Sequence, residues 1–208
     1  MATATSSIEI FAYFIIFATL AACAYIYFVD NTDFELKCIV SGTDGDKYCV
    51  RERSRINEAV ELLSKITNKC KELVDYVHSK YPEKENVARL YAGYRPNKIM
   101  EILPTSKYTA YSENKGEKLA FCLNKNSKDN ADNNNLIDEH TLMFVAIHEL
   151  SHIATKSIGH KSEFWENFKF LLQEAKLAGI HNPTDYKAPG QSKEYCGMKI
   201  TDSPYFDI

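Results

Sequence analysis

The stretch AIHELSHIATKSIGH, Ala146 to His160, places three of the chain's six histidines within thirteen residues and sets a glutamate directly beside the first. His148 and His152 are four apart, so on a helix both imidazoles leave the same face, one turn above the other. Two ring nitrogens held that way can converge on one cation. Glu149 follows the first histidine and lies about 100° further round the helix. From there its carboxylate does not comfortably share the histidines' cation, but it can reach a water held beside that cation.

This is the H-E-x-x-H arrangement of zinc peptidases. Zinc fits the donors, because it takes nitrogen ligands at about 2.0–2.1 Å in a tetrahedral shell. Such an ion lowers the pKa of a water to about 7 and polarises a carbonyl oxygen. The carboxylate then takes the proton as the water attacks and hands it to the leaving amine. A catalytic shell needs a third protein ligand. His160 leads, because Gly159 just before it lets the chain turn back out of the helix. The alternative is a glutamate on the following helix, with Glu163, Glu166 and Glu174 available. The spacing H-E-x-x-H-x-x-G-x-x-H is not met, since Gly159 comes too late.

The surrounding pattern predicts helices. Leu142, Val145, Ala146, Ile147, Leu150 and Ile153 give the motif segment, Leu136 to Ser157, the apolar packing of a buried helix, with Asp138 as N-cap and Gly159 as C′ residue. A second helix is expected from about Ser162 to Leu177, burying Phe164, Phe168, Leu171, Leu172 and Ala175. A three-four apolar spacing from Ile56 to Val77 predicts a long amphipathic helix from Arg51 to about Tyr81, stopped by Pro82. A shorter helix follows over Glu83–Ala92. Two β-rich runs, Tyr108–Ser112 and Lys118–Leu123, flank Asn114 and Gly116 and read as a hairpin. After it the asparagine-rich NKNSKDNADNNN reads as a surface loop, and a short strand is expected around Tyr195–Ile200. Together these make an α+β domain, helix-rich with a small antiparallel sheet.

Ahead of it, Ile10–Val29 runs for twenty residues without a charge, the length of a bilayer-spanning helix, with Tyr25 and Tyr27 near one end. MATATSSIE lacks the basic n-region of a cleaved signal. The expected organisation is a tail over 1–9, a transmembrane helix over 10–29, a linker over 30–50 and a catalytic-type domain over 51–208. Lys and Arg are too sparse around the span to orient it. Cys38 and Cys49 flank a turn-rich SGTDGDKY and could pair on an oxidising side, or stay reduced while Cys70 and Cys122 fill the core. With 28 acidic against 25 basic side chains there is no basic footprint, and no nucleic-acid partner is expected.

HELSHIATKSIGHKSEFW resembles the metallopeptidase core of the WLM and SprT-like families, in which an H-E-L-x-H helix precedes a third zinc histidine and an aromatic-rich helix. The resemblance covers about Tyr108 to Ala178, and KLAFCLN resembles the strand that edges the cleft in those families. The whole chain also resembles membrane-anchored metallopeptidase-like proteins of large DNA viruses. The resemblance implies a zincin-like fold, zinc held by His148, His152 and His160, and Glu149 as general base. An extended peptide would pair with the strand that contains Leu119, Ala120 and Phe121. The anchor and the absent basic excess depart from those soluble, DNA-associated families, so fold and chemistry carry over better than substrate. Tyr195 is a candidate oxyanion donor, set against a place in the core. His140 lies about 80° off the ligand face, and His78 and His181 read as ordinary surface or core residues. The rival expectation is a membrane-tethered interaction or structural protein on the same scaffold, in which Glu149 has no role.

Overall fold

The computed structural model describes residues 7–32, 36–126 and 135–207, and the chain divides into two units, Met1–Glu35 and Leu36–Ile208. The first unit is a helix, α1 (Ser7–Thr32), whose described side chains, residues 9–25, are all exposed. Among the described residues no helix is long and apolar enough to cross a membrane. The span expected over 10–29 is corrected to that extent.

The second unit is mixed α+β. Its sheet holds β1 (Leu36–Val40), β2 (Lys47–Arg51), β3 (Ile99–Glu101), β4 (Ala110–Glu113) and β5 (Lys118–Phe121), in the order β1-β2-β3-β5-β4. Pairings β1–β2 and β4–β5 are antiparallel, but β2–β3 and β3–β5 are parallel, so the expected antiparallel sheet is a mixed one. The segment 30–50, expected as linker, holds β1 and most of β2, and the domain begins there rather than at residue 51. A separate hairpin, β6 (Lys193–Tyr195) with β7 (Met198–Ile200), replaces the single strand expected near the C-terminus; Cys196 and Gly197 make its turn with φ of 53° and 78°.

The helices follow their apolar spacing. α2 (Ile56–Lys80) buries Ala59, Val60, Leu63, Ile66, Cys70, Leu73, Val74 and Val77 along one stripe. It starts five residues later than expected because Arg51 ends β2, where its backbone N–H and guanidinium both bond Glu101. Arg53 also pairs with Glu101 and donates to Asn124 Oδ1 at 2.9 Å, a buried polar cross-tie between β2, β3 and the end of β5. α3 (Glu85–Gly93) follows. Next comes α4 (Glu139–Ala154), capped by Asp138, whose carboxylate accepts from Thr141 N at 2.8 Å. α4 is buried nearly all round because α2, α3, α5 (Ser162–Leu177) and β4 all pack on it. It ends at Ala154, three residues before the expected boundary, since Thr155 turns extended; Gly159, at φ 79°, belongs to the connection to α5. Of the asparagine-rich segment, residues 127–134 lie outside the described residues.

Cys38 and Cys49 sit opposite each other in the β1–β2 register and form a disulfide. Cys122 pairs with Cys196, which fastens the end of β5 to the β6–β7 turn and corrects the reading of Cys122 as a core thiol. Cys70 is the buried free cysteine.

Candidate metal centre

α4 presents His148 and His152 side by side, and the seven-residue connection to α5 brings His160 back over them. Its Nε2 lies 3.1 Å from Nε2 of His148 and 3.1 Å from Nε2 of His152. A tetrahedral shell with zinc–nitrogen bonds of about 2.0–2.1 Å sets its donors about 3.3 Å apart, so these two sides match a zinc face, and all three donor atoms lie within 4.8 Å of one another. The donor set also suits zinc, being three imidazole nitrogens. Burial holds the His148 imidazole down at about 3 and the His152 imidazole at about 4, each pushed further by neighbouring histidines. Both therefore offer lone pairs at neutral pH, as a ligand must.

Behind the triangle stands an aromatic wall. The Phe164 ring is fully buried and lies 4.8 Å from His148, 4.4 Å from His152 and 4.5 Å from His160, centroid to centroid. Phe168 backs His148 at 5.2 Å, and the half-exposed Trp165 lies 5.7 Å from His160 on the solvent side. These rings fix the imidazole planes without offering a competing donor.

Glu149 is 5 % exposed, and burial pushes its carboxyl up to about 8. The neighbouring Ser112 backbone N–H on β4 opposes that shift. A carboxyl so raised is the kind of group found where proton transfer is the task. Two of the three alternative ligands are engaged elsewhere. Glu163 accepts from Lys156 N at 2.8 Å and Ser157 N at 3.0 Å, and Glu174 binds Lys80 and Tyr81. Among the described residues, His148, His152 and His160 form the one cluster able to hold a metal.

Two sequence expectations are corrected. Leu119, Ala120 and Phe121 cannot receive a peptide, because β5 lies between β3 and β4 and all three side chains are buried. The open edge is β4. Cys122 N donates to Thr109 O, and antiparallel bonding alternates along the pair. The N–H and C=O groups of Ala110 and Ser112 therefore face away from β5. Ser112, which the sequence reading missed, is the edge residue that reaches Glu149. Tyr195 is buried, with its hydroxyl donating to Thr109 O at 3.2 Å and accepting from Cys122 N at 3.2 Å. Burial, and then the Glu149 charge, raise its phenol. It is a pin between the hairpin and the sheet, not an open oxyanion donor. His140 lies away from the metal cluster, with Nε2 2.9 Å from Thr184 Oγ1 and its ring stacked on His181. His78 stacks on Tyr91.

No family model matches the chain. It is 28% identical over 195 residues to the uncharacterised protein R325 of Acanthamoeba polyphaga mimivirus, a match covering 88% of this chain and 92% of that one. Shorter matches are 36% identity over 50 residues to protein 136R of Invertebrate iridescent virus 6, and 38% over 61 residues to protein 042R of Invertebrate iridescent virus 3. The first of these covers 24% of this chain and 28% of the relative, the second 29% and 36%. Among solved structures, Wss1 from Saccharomyces cerevisiae superposes with a TM-score of 0.43 at 16% identity, over 61% of this chain and 83% of Wss1.

Proposed function

We propose that this chain is a zinc-dependent metalloendopeptidase. The observation that carries the reading is the convergence of three imidazole Nε2 atoms beside a buried carboxylate of raised pKa. His148, His152 and His160 would hold the ion, which when bound supplies Lewis acidity toward a peptide carbonyl. Glu149 takes the proton of the attacking water and releases it to the departing amine. The open edge of β4 supplies Ser112 and Ala110 backbone groups to which an extended peptide can bond as an added strand. The rival role as a structural zinc scaffold has no use for Glu149, since a closed structural site takes four protein ligands and no base.

For localisation we infer attachment to a membrane through α1. Ile10, Phe11, Phe14, Phe17 and Leu20 are exposed, and the sequence between residues 10 and 29 carries no charge. Retention of the full chain in the membrane pellet after alkaline carbonate washing supports this reading; release into the supernatant overturns it.

The deciding experiment on the activity uses the purified full chain in detergent. Elemental analysis should find one zinc per chain, and a peptide library should be cut only before chelation. Glu149→Gln should keep the zinc and lose roughly 10²–10⁴ in rate, the scale of general acid–base catalysis. Wild-type cleavage by that variant would remove Glu149 from the mechanism.

A further inference from the structure

The path from His152 to His160 crosses the exit of α4, where the last carbonyls of any helix lose their intrahelical partners. Here one side chain collects three carbonyls along that path. Lys115 Nζ donates to His152 O at 3.1 Å, Thr155 O at 2.7 Å and Ser157 O at 2.8 Å. An ammonium has three protons to give, and these three carbonyls match them. Its positive charge also lies at the negative end of the helix.

Lys115 does not reach this place by chance of a flexible stem. It occupies the β4–β5 turn, where Asn114, Lys115 and Gly116 all have positive φ, at 44°, 58° and 104°. A lysine in that region is uncommon, and the turn is pressed against its neighbours. A Cβ on Gly116 would stand 2.4 Å from Gly93 O, and one on Gly93 would stand 2.6 Å from both Lys115 O and Ile153 Cγ2. Only two glycines facing each other allow the hairpin turn to sit this close to α3 and α4. On the other side of the same connection, Arg89 Nε donates to Ala154 O at 2.9 Å, while Glu163 holds the N–H groups of Lys156 and Ser157.

We propose that Lys115 is a positioning residue for the metal centre, clamping the carbonyls between His152 and His160 so that the two imidazoles keep the spacing one ion requires. The proposal rests on the reading of the three histidines as a metal site. It adds that the same lysine welds the turn of the substrate-edge hairpin to the ligand helix, so edge strand and ion are held in one frame. Groups one step behind metal ligands commonly set affinity by 10–100-fold.

The test measures zinc affinity of the full chain by competition with a chromogenic chelator at neutral pH, with no peptide present. Lys115→Met should weaken zinc binding by 10- to 100-fold, and Lys115→Arg should restore most of it, because a guanidinium again donates several N–H groups. Apo-protein thermal midpoints of the variants should stay close to that of the wild type. Should Lys115→Met not fold, Lys115→Gln carries the comparison, with an intermediate loss expected. Unchanged affinity in the folded variant overturns the clamp, and so does a loss that tracks apo stability alone. A chain that binds zinc, weakens on Lys115→Met and yet cuts no peptide overturns the peptidase reading only. A wild-type chain that takes up no zinc overturns both.

Discussion

The Ser112 backbone N–H lies on the open edge of the sheet beside the Glu149 carboxyl, whose pKa it draws down against the rise that burial imposes. That N–H points away from β5, which leaves the β4–β5 ladder independent of it. Ser112→Pro therefore deletes the edge donor while sparing the ladder, as proline is tolerated where a strand's N–H faces outward. Peptidase kcat/KM should fall by about tenfold, the upper range for one lost hydrogen bond to a neutral peptide group, with zinc still bound. Ser112→Ala, which keeps the backbone, should cleave as the wild type does. Equal kinetics for the proline variant would place the substrate elsewhere.

Phe164 contributes through packing. Its buried ring touches all three histidines and Phe168. Phe164→Ala should cost about 3–5 kcal/mol of stability, the usual range for emptying an aromatic core position. It should also widen the spread of imidazole orientations. Denaturant unfolding and zinc competition, run on the same samples, should report both losses. Phe164→Leu, which fills most of the space, should recover stability further than it recovers affinity. A variant with wild-type affinity would show that the ring does not orient the ligands.

The local parts of this architecture were legible in the sequence, and the non-local ones were not. His148, Glu149 and His152 follow from helical geometry alone, and Gly159 signalled the return of His160. Asp138 capped α4 as its side chain predicted. The edge strand was misassigned because β4 and β5 look alike as short runs. Which of them faces solvent depends on β3, a three-residue strand that pairs β5 from about twenty residues upstream. The bonding of Tyr195 to Thr109 and Cys122 crosses 73 to 86 residues, beyond any periodicity. β1 and β2 were hidden by a linker-like composition around SGTDGDKY.

The two disulfides should differ in weight. Cys122–Cys196 closes a loop of 74 residues and Cys38–Cys49 one of 11. By loop entropy these correspond to about 4 and about 3 kcal/mol. The longer bridge also holds Tyr195 against the strand leading into β4. Cys122→Ser with Cys196→Ser should lower the thermal midpoint more than Cys38→Ser with Cys49→Ser, and should lower activity as well. Non-reducing mass mapping of the wild type should recover both pairs and leave Cys70 free. The reverse ranking of midpoints would deny the hairpin a role in holding the domain.

His181 contributes to the acid limit of the fold, beside His148 and His152, whose imidazoles burial also holds down. It is 5 % exposed, and burial, followed by the neighbouring His140 and Lys69, holds its imidazole down at about 3. Lys69 is itself paired with Glu139 at the start of α4, and Asp138 lies one residue further back. An unfolded histidine titrates near 6.5, so above that pH neither state binds the proton and His181 leaves stability unaffected. As pH falls from about 6.5 toward 3, the unfolded chain takes up a proton that the folded chain refuses, and stability declines. At pH 5 the loss from this residue is on the order of 2 kcal/mol. His181→Phe, which keeps the stack on His140 without a basic nitrogen, should flatten the decline between pH 6.5 and 4 in urea unfolding. If the variant and the wild type lose stability in parallel over that window, the acid sensitivity arises at other groups.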